Sequence, residues 1–284
     1  MQFAAATMFP GDLYEAAHRF AADATATQAA DLGADPGAAW RQAVAMGWPA
    51  LLVDEARGGA GGTLADLGAV LEGCARHALD LPLVRRCAQA PALLMAAGSP
   101  AADAQLRALC AGGADLDLAD GSALAATPLA GGGVRLAGTL RGVDAALPST
   151  HVLVATPGHL LLLPRAALPP AATRHAGIDG RRIGDHPVSG LELPAAAVLQ
   201  TGAAADAAAA AAQGLATLAT ALEMAAALGA SIEHCIAYLT TRVQFGVALA
   251  TFQVLRHKVV ELYVDYEAAS VLLARLVADT VASG

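Results

Sequence analysis

Aromatic side chains are scarce in this chain, with five Phe, two Trp and four Tyr among 284 residues. Charge is sparse too, at 15% of residues. A formal net charge of −8 without a basic stripe argues against nucleic acid as a partner. The four cysteines, Cys74, Cys87, Cys110 and Cys235, are widely separated and form no C-x-x-C pair. That spacing removes zinc-knuckle and thioredoxin-like chemistry, predicts no metal site, and leaves buried free thiols as the reading. Also missing is an unbroken apolar run of about 18 residues of the kind that spans a bilayer, so no membrane span is expected. The longest apolar tract, AAADAAAAAAQGLATLATALEMAAALGA, is mostly alanine, which favours helix strongly and membrane insertion little. The opening residues, MQFAAATMFPGDLYEAAHRF, lack a basic stretch followed by an apolar one. No secretory leader is expected, and the cytoplasm is the expected compartment.

What is present is helical at both ends. Up to about residue 113, apolar positions recur at helical spacing in PGAAWRQAVAMGW, TLADLGAVLEGCARHAL and AQAPALLMAAG. Asp35 is placed to cap a helix whose first turn holds Pro36, and Thr63 to cap another. Between these helices, Gly58, Gly59, Gly61 and Gly62 mark a turn. From 114 to 201 the pattern changes to strand-sized runs rich in Val, Leu or Thr: GVRLAGTLRGV, HVLVATPG, HLLLLPRAAL and VSGLELPAAAVL. From 202 to 284 two long helices are expected, one over about Ala204 to Thr241 and one from Phe252 to near Ala282. Their length points to a bundle or an oligomer interface. The fold class is therefore α+β, mainly α, with an N-terminal helical domain (1–113), a small middle β domain (114–201) and an incomplete C-terminal bundle of two long helices (202–284).

The break between those helices, TTRVQFGVALATFQVLRHK, gathers Arg242, Gln244, Phe245, Phe252, Gln253, Arg256, His257 and Lys258 in a chain otherwise poor in such residues. An arginine with amide donors beside an aromatic ring is the set that grips a diphosphate and covers an aromatic heterocycle. On spacing alone a solvated loop with Phe245 and Phe252 packed inward stands beside that reading.

This stretch resembles the R-x-Q-F-G…F-Q…H motif of the acyl-CoA dehydrogenase family, in which a loop and the helix after it contact flavin adenine dinucleotide held by a neighbouring subunit. Upstream, AWRQAVAMGWPALLVDEARGGAGGTLADLGAVLEGCARH is similar to that family's N-terminal helix, Gly-Trp turn, glycine-rich loop and following helix. The resemblance implies that FAD is the cofactor and that Arg242, Gln244, Phe245 and Gln253 contact it, most of them across a dimer interface. It implies Arg242 as the partner of the diphosphate; Phe252 is read instead as an anchor of the second helix in the bundle core, and His257 as a structural or surface residue. The implied reaction is α,β-desaturation of an acyl-CoA thioester, a glutamate taking the α-proton and the flavin N5 receiving the β-hydrogen as hydride. Electrons would pass to an electron-transfer flavoprotein. The GGAGG segment lacks the G-x-G-x-x-G spacing of a dinucleotide loop, and the resemblance makes it a turn between helices.

Three departures from the family pattern bear on activity. The middle-domain motifs, a Thr-Glu-Pro strand end and a Trp-x-Ser/Thr turn, are replaced by DLADGSALAATP and DAALPSTHVLV, where Ser122, Ser149 and Thr150 stand as substitutes. The late glutamate base of most members has no counterpart, because the sequence given stops at LVADTVASG where the family usually continues into two more helices. In members that carry the base on the first C-terminal helix, the place falls near Ala216; Glu223 is the nearest acidic residue, two helical turns away. The chain also resembles the small subunits of two-component bacterial acyl-CoA dehydrogenases. A second expectation follows: a noncatalytic partner subunit or fragment that helps form the flavin site of a heteromeric acyl-CoA dehydrogenase. In either case a homo- or hetero-oligomer built through the C-terminal helices is expected.

Overall fold

The computed structural model describes residues 4–30, 35, 37–177 and 181–283. Pro36 lies outside the described residues, but the Asp35 carboxylate accepts the Gly37 amide at 2.8 Å in the expected capping role. Contacts divide the chain into two units, each assembled from separated stretches: Met1–Gly33, Thr63–Leu79 and Leu218–Gly284 in one, Ala34–Gly62 and Asp80–Thr217 in the other.

The first unit is helical. It contains α1 (Asp12–Ala30), α3 (Leu64–Ala75), the larger part of α6 (Ala203–Thr241) and α7 (Gln253–Ser283). Helix α3 starts on a capping box: the Thr63 hydroxyl accepts the Asp66 amide while the Asp66 carboxylate accepts the Thr63 amide. Helices α1 and α3 approach closely at Gly73, where an added Cβ would lie 2.7 Å from the Ala17 methyl. At the centre, Glu72 is fully buried, and its two carboxylate oxygens accept the amides of Met8 and Phe9 at 3.0 Å each. Arg76, which also pairs with Glu233, lies 3.8 Å from Glu72. The Ala5 amide donates to Glu233 and the Tyr266 hydroxyl to the Ala6 carbonyl, so the N-terminal stretch is tied down residue by residue. Burial raises the Glu72 pKa despite its amide donors. Cys74, buried beside the charge of Glu223, is pushed up to about 12.

The second unit carries α2 (Gly37–Ala45), α4 (Ala90–Ala97), α5 (Pro100–Cys110) and an eight-stranded sheet whose strands all lie between Leu116 and Thr201. These strands are β1 (Leu116–Asp120), β2 (Leu124–Pro128), β3 (Val134–Asp144), β4 (His151–Thr156), β5 (His159–Pro164), β6 (Thr173–Ala176), β7 (Arg182–Leu193) and β8 (Val198–Thr201). Their order is β6-β7-β3-β1-β4-β5-β8, with β2 also on β3. Pairing is antiparallel except between β1 and β4, where Leu116 opposes His151. Leu136, Leu140, Val152, Val154, Leu161 and Leu163 fill one core, and Leu94, Leu106, Leu116, Leu153 and Leu160 another.

The fold is the expected one, mainly helical with a central sheet and two long C-terminal helices. Three strands fall outside the runs read from the sequence: β1 and β2, where LDLAD and LAATP carry residues of low strand propensity, and β6. VSGLELPAAAVL is divided by Pro194 between β7 and β8. The glycine cluster is a turn, and its amides are consumed internally. Gly59, Gly61 and Gly62 donate to the carbonyls of Asp54, Val53 and Leu51, so none is left for a phosphate. One expectation is corrected: α6 contains an 18-residue window long and apolar enough, by composition, to cross a membrane. Alanine accounts for that apolar character, and 44% of the window is packed inside the fold. None of the four cysteines is in a disulfide; Cys74 and Cys87 are buried, Cys110 and Cys235 half-buried.

Candidate functional site

Two places gather chemistry, one in each unit. In the helical unit, α6 and α7 are joined by a two-stranded hairpin, β9 (Val243–Gln244) and β10 (Val247–Ala248), in which Gln244 opposes Val247. Phe245 and Gly246 form its two-residue turn with φ of +54° and +79°. Two successive positive φ values match the right-handed strand twist, but a bulky residue pays for the first with strain. The Leu249 amide donates to the Arg242 carbonyl and closes the base of the hairpin. Phe245 projects into solvent, 90% exposed, and meets the edge of half-buried Phe252 at 6.2 Å between centroids. Of the two phenylalanines only Phe252 turns inward, and only partly. Arg242 is exposed, and among the described residues no carboxylate pairs with it. Gln244, whose amide nitrogen donates to the Val243 carbonyl, and Gln253, in the first turn of α7, are exposed as well, as is His257. An unpaired guanidinium, two exposed amides and an exposed ring at this hairpin and the helix start after it form a donor set that fits a diphosphate joined to an aromatic heterocycle.

In the sheet-containing unit, a cleft of about 520 Å³ opens between α4, the ends of β1 and β3, β4 and the first turns of α6. Helix α4 is preceded by a π-helical stretch, Val84–Gln89, and Pro91, which has no amide hydrogen to offer, follows at once. Within this stretch the adjacent arginines diverge. Arg86 is buried over the Trp40 ring at 5.2 Å and donates to the Pro148 carbonyl; Arg85 lines the cleft. Burial lowers the Arg86 pKa against the pull of Asp117, Asp144 and Asp115. Arg85 Nη2 donates to the Gly142 carbonyl at 2.9 Å and lies 3.2 Å from the Asp117 carboxylate. Asp117, 1% exposed, accepts the amides of Leu118 and Asp144 and has Arg165 at 3.8 Å. Opposite, the β3–β7 register shifts between Leu140 and Val143, placing Arg141 and Gly142 in a bulge at the rim, with Gly142 at φ +70°. Bulges and π-turns are frequent devices for aiming side chains at a site.

Residues 207–283 match the acyl-CoA dehydrogenase C-terminal domain, and residues 11–113 match the acyl-CoA dehydrogenase N-terminal domain. Acyl-CoA dehydrogenase IpdE2 of Mycobacterium tuberculosis is 30% identical over 260 residues, spanning 91% of this chain and 70% of that protein. The chain belongs to the acyl-CoA dehydrogenase family. Among solved structures, a variant of the Tcur3481-Tcur3483 steroid ACAD is similar at 25% identity with a TM-score of 0.78, covering 95% of this chain and 77% of that one. The ChsE4-ChsE5 complex from Mycobacterium tuberculosis shares the fold at 20% identity and a TM-score of 0.79, over 96% of this chain and 79% of that one.

The positions at which this member of the acyl-CoA dehydrogenase family departs from the family pattern have definite surroundings. Ser122 is exposed just past β1, its amide donating to Asp120. Ser149 accepts from Arg165, and the Thr150 hydroxyl donates to the Asp115 carbonyl, so both hydroxyls are committed within the chain. Ala216 is buried on α6. Glu223, one residue past buried Leu222, bears electrostatically on Cys74 in α3 and is not among the residues lining the cleft. Sequence reasoning passed over Arg85, Gln89, Arg141 and Gln213, all on the cleft wall. The available signals were two adjacent arginines in an apolar helix and a lone glutamine in a run of alanines.

Proposed function

We propose that this chain is a subunit of an FAD-dependent acyl-CoA dehydrogenase that desaturates an acyl-CoA thioester between its α and β carbons, with an electron-transfer flavoprotein as electron acceptor. The observation that carries this reading is the hairpin at 243–248, where Arg242 and Phe245 face solvent on a strained but well-tied turn. In it Arg242 neutralises the diphosphate, Phe245 lies against the dinucleotide, and Gln244 and Gln253 donate hydrogen bonds. Ser122 is retained as a further contact, while Ser149 and Thr150 would first have to leave their present partners. A flavin bound there supplies the hydride acceptor; the chain's own part is to grip the cofactor and to wall the acyl cleft. The division at 113 and 201 into N-terminal, middle and C-terminal domains, and a cytoplasmic location, belong to the same proposal.

A noncatalytic role within a heteromeric enzyme is favoured by one specific observation. The carboxylate lining the cleft is Asp120, which is bound to the Ser122 amide, and the α6 position near Ala216 has none. An oligomer is supported by α7, where Val260, Val264 and Val271 make an apolar stripe, each more than half exposed. The test is a visible spectrum of the purified chain reconstituted with FAD, then anaerobic addition of acyl-CoA thioesters, alone and with a catalytic partner chain. Bleaching by the chain alone establishes an enzyme, with Glu223 and Asp120 the carboxylates to mutate. Bleaching only with the partner establishes the noncatalytic role, and failure to bind FAD in either setting overturns the proposal.

A further inference from the structure

Arg85, Gln89 and Gln213 do not suit a cleft meant for a plain alkyl chain. The floor is apolar, made by Leu93, Leu118, Leu153 and Ala155, and α6 contributes Ala209 and Ala212, whose small side chains leave room. Set into that surface, one helical turn apart, are Arg85 and Gln89; Gln213 faces them from α6, and the Gln89 amide reaches its carbonyl at a stretched 3.4 Å. Both Arg85 contacts use Nη2, which leaves Nη1 and Nε for a further acceptor. Asp117 does not depend on Arg85 alone, because two amides and Arg165 also face it. An alkyl chain laid here would strip water from a guanidinium edge and two carboxamides and return no hydrogen bond, a loss that opposes binding.

We propose that the cleft accepts an acyl group bearing a second, distal carboxylate, with Arg85 as the specificity-determining cation and Gln89 and Gln213 as flanking amide donors. The inference rests on the acyl-CoA reading above and deepens it. With Nη2 engaged, Nη1 or Nε still offers a carboxylate one charge-assisted N–H bond, and the flanking amides fill its remaining lone-pair directions. Arg141, exposed on the β3 bulge at the rim, adds a second positive charge along the approach.

Calorimetric titration of the full chain with hexanoyl-CoA and with adipoyl-CoA, equal in carbon count, tests this directly. The adipoyl thioester is expected to bind at least about tenfold tighter, the worth of one charge-assisted hydrogen bond. Arg85→Met is expected to erase that gap, and Gln89→Leu and Gln213→Leu, which leave Asp117 untouched, to narrow it. Equal binding of the two thioesters, or a gap that survives in folded Arg85→Met, overturns the inference and leaves the acyl-CoA reading standing. If Arg85→Met does not fold, an unchanged gap in both glutamine variants overturns it. Binding of neither thioester overturns the acyl-CoA reading itself, and this inference with it.

Discussion

The Asp117 carboxylate, almost wholly buried, receives the Asp144 amide at 2.7 Å and so fastens the start of the sheet's first strand to the far end of its third. Arg85 reaches the same carboxylate from the π-helical turn, which makes Asp117 the point where helix, strand and bulge are held in common. Asp117→Asn removes the charge and turns a donor toward a donor. The variant should lose about 3 kcal/mol, the scale on which breaking a buried ion pair is felt. Urea unfolding of the variant beside the wild type measures the loss, and equal midpoints would refute it.

Gly59 has ordinary negative-φ freedom to be alanine but not the space. An added Cβ would stand 2.1 Å from the Val53 carbonyl oxygen, which itself accepts the Gly61 amide. Gly59→Ala should destabilise by about 3 kcal/mol, at the upper end for overpacking. Thermal unfolding followed by circular dichroism checks this, with Gly214→Ala as control, since nothing lies within 4 Å of a Cβ there.

Phe245 sits in the left-handed region and touches its own chain chiefly through the edge of Phe252. Phe245→Gly should therefore hold or raise the melting temperature by relieving about 1 kcal/mol of backbone strain, while flavin affinity falls. Arg242→Ala should leave stability unchanged, within about 0.5 kcal/mol for an exposed unpaired side chain, and weaken FAD binding at least about tenfold. Flavin fluorescence titration reads both variants. Unchanged affinity in both would remove the hairpin from the cofactor site.

Glu72 gives the helical unit a pH dependence of unusual sign. Burial raises its pKa above 4.5, so the folded state holds a proton that the unfolded chain releases. Its contribution is fully present below about pH 4.5 and is lost as pH rises through the raised value. Glu72→Gln should remove that slope. Comparing wild-type and variant unfolding free energies between pH 4 and pH 8 tests it, and parallel curves would contradict the assignment.

Much of the architecture was legible because it rests on local chemistry. Thr63 and Asp66 announce a helix start, LLLL and VLVA announce strands, and the alanine run announces a long helix. The R-x-Q-F-G stretch was legible for another reason, since polar and aromatic residues stand out in a chain poor in both. The cleft was not legible. Arg85, Arg141 and Gln213 are far apart in sequence, and each alone reads as a surface residue. What joins them is a π-helical turn just ahead of Pro91 and a bulge visible only once β3 has paired with β7. The partners of the Ser149 and Thr150 hydroxyls were not legible for the converse reason. Those partners, Arg165 and the Asp115 carbonyl, are set by tertiary contact rather than by neighbours in sequence.

The side-by-side parallel pairing of β1 with β4 also dictates an order of events at the ribosome. Strand β1 emerges first but cannot complete that ladder until β2, β3 and the 145–150 connection have followed it out. Until then its Leu116 and Leu118 edge is an open template. Asp117 and Asp120, charged and poor formers of strand, make that waiting segment a weaker template for another chain than an all-apolar strand would be.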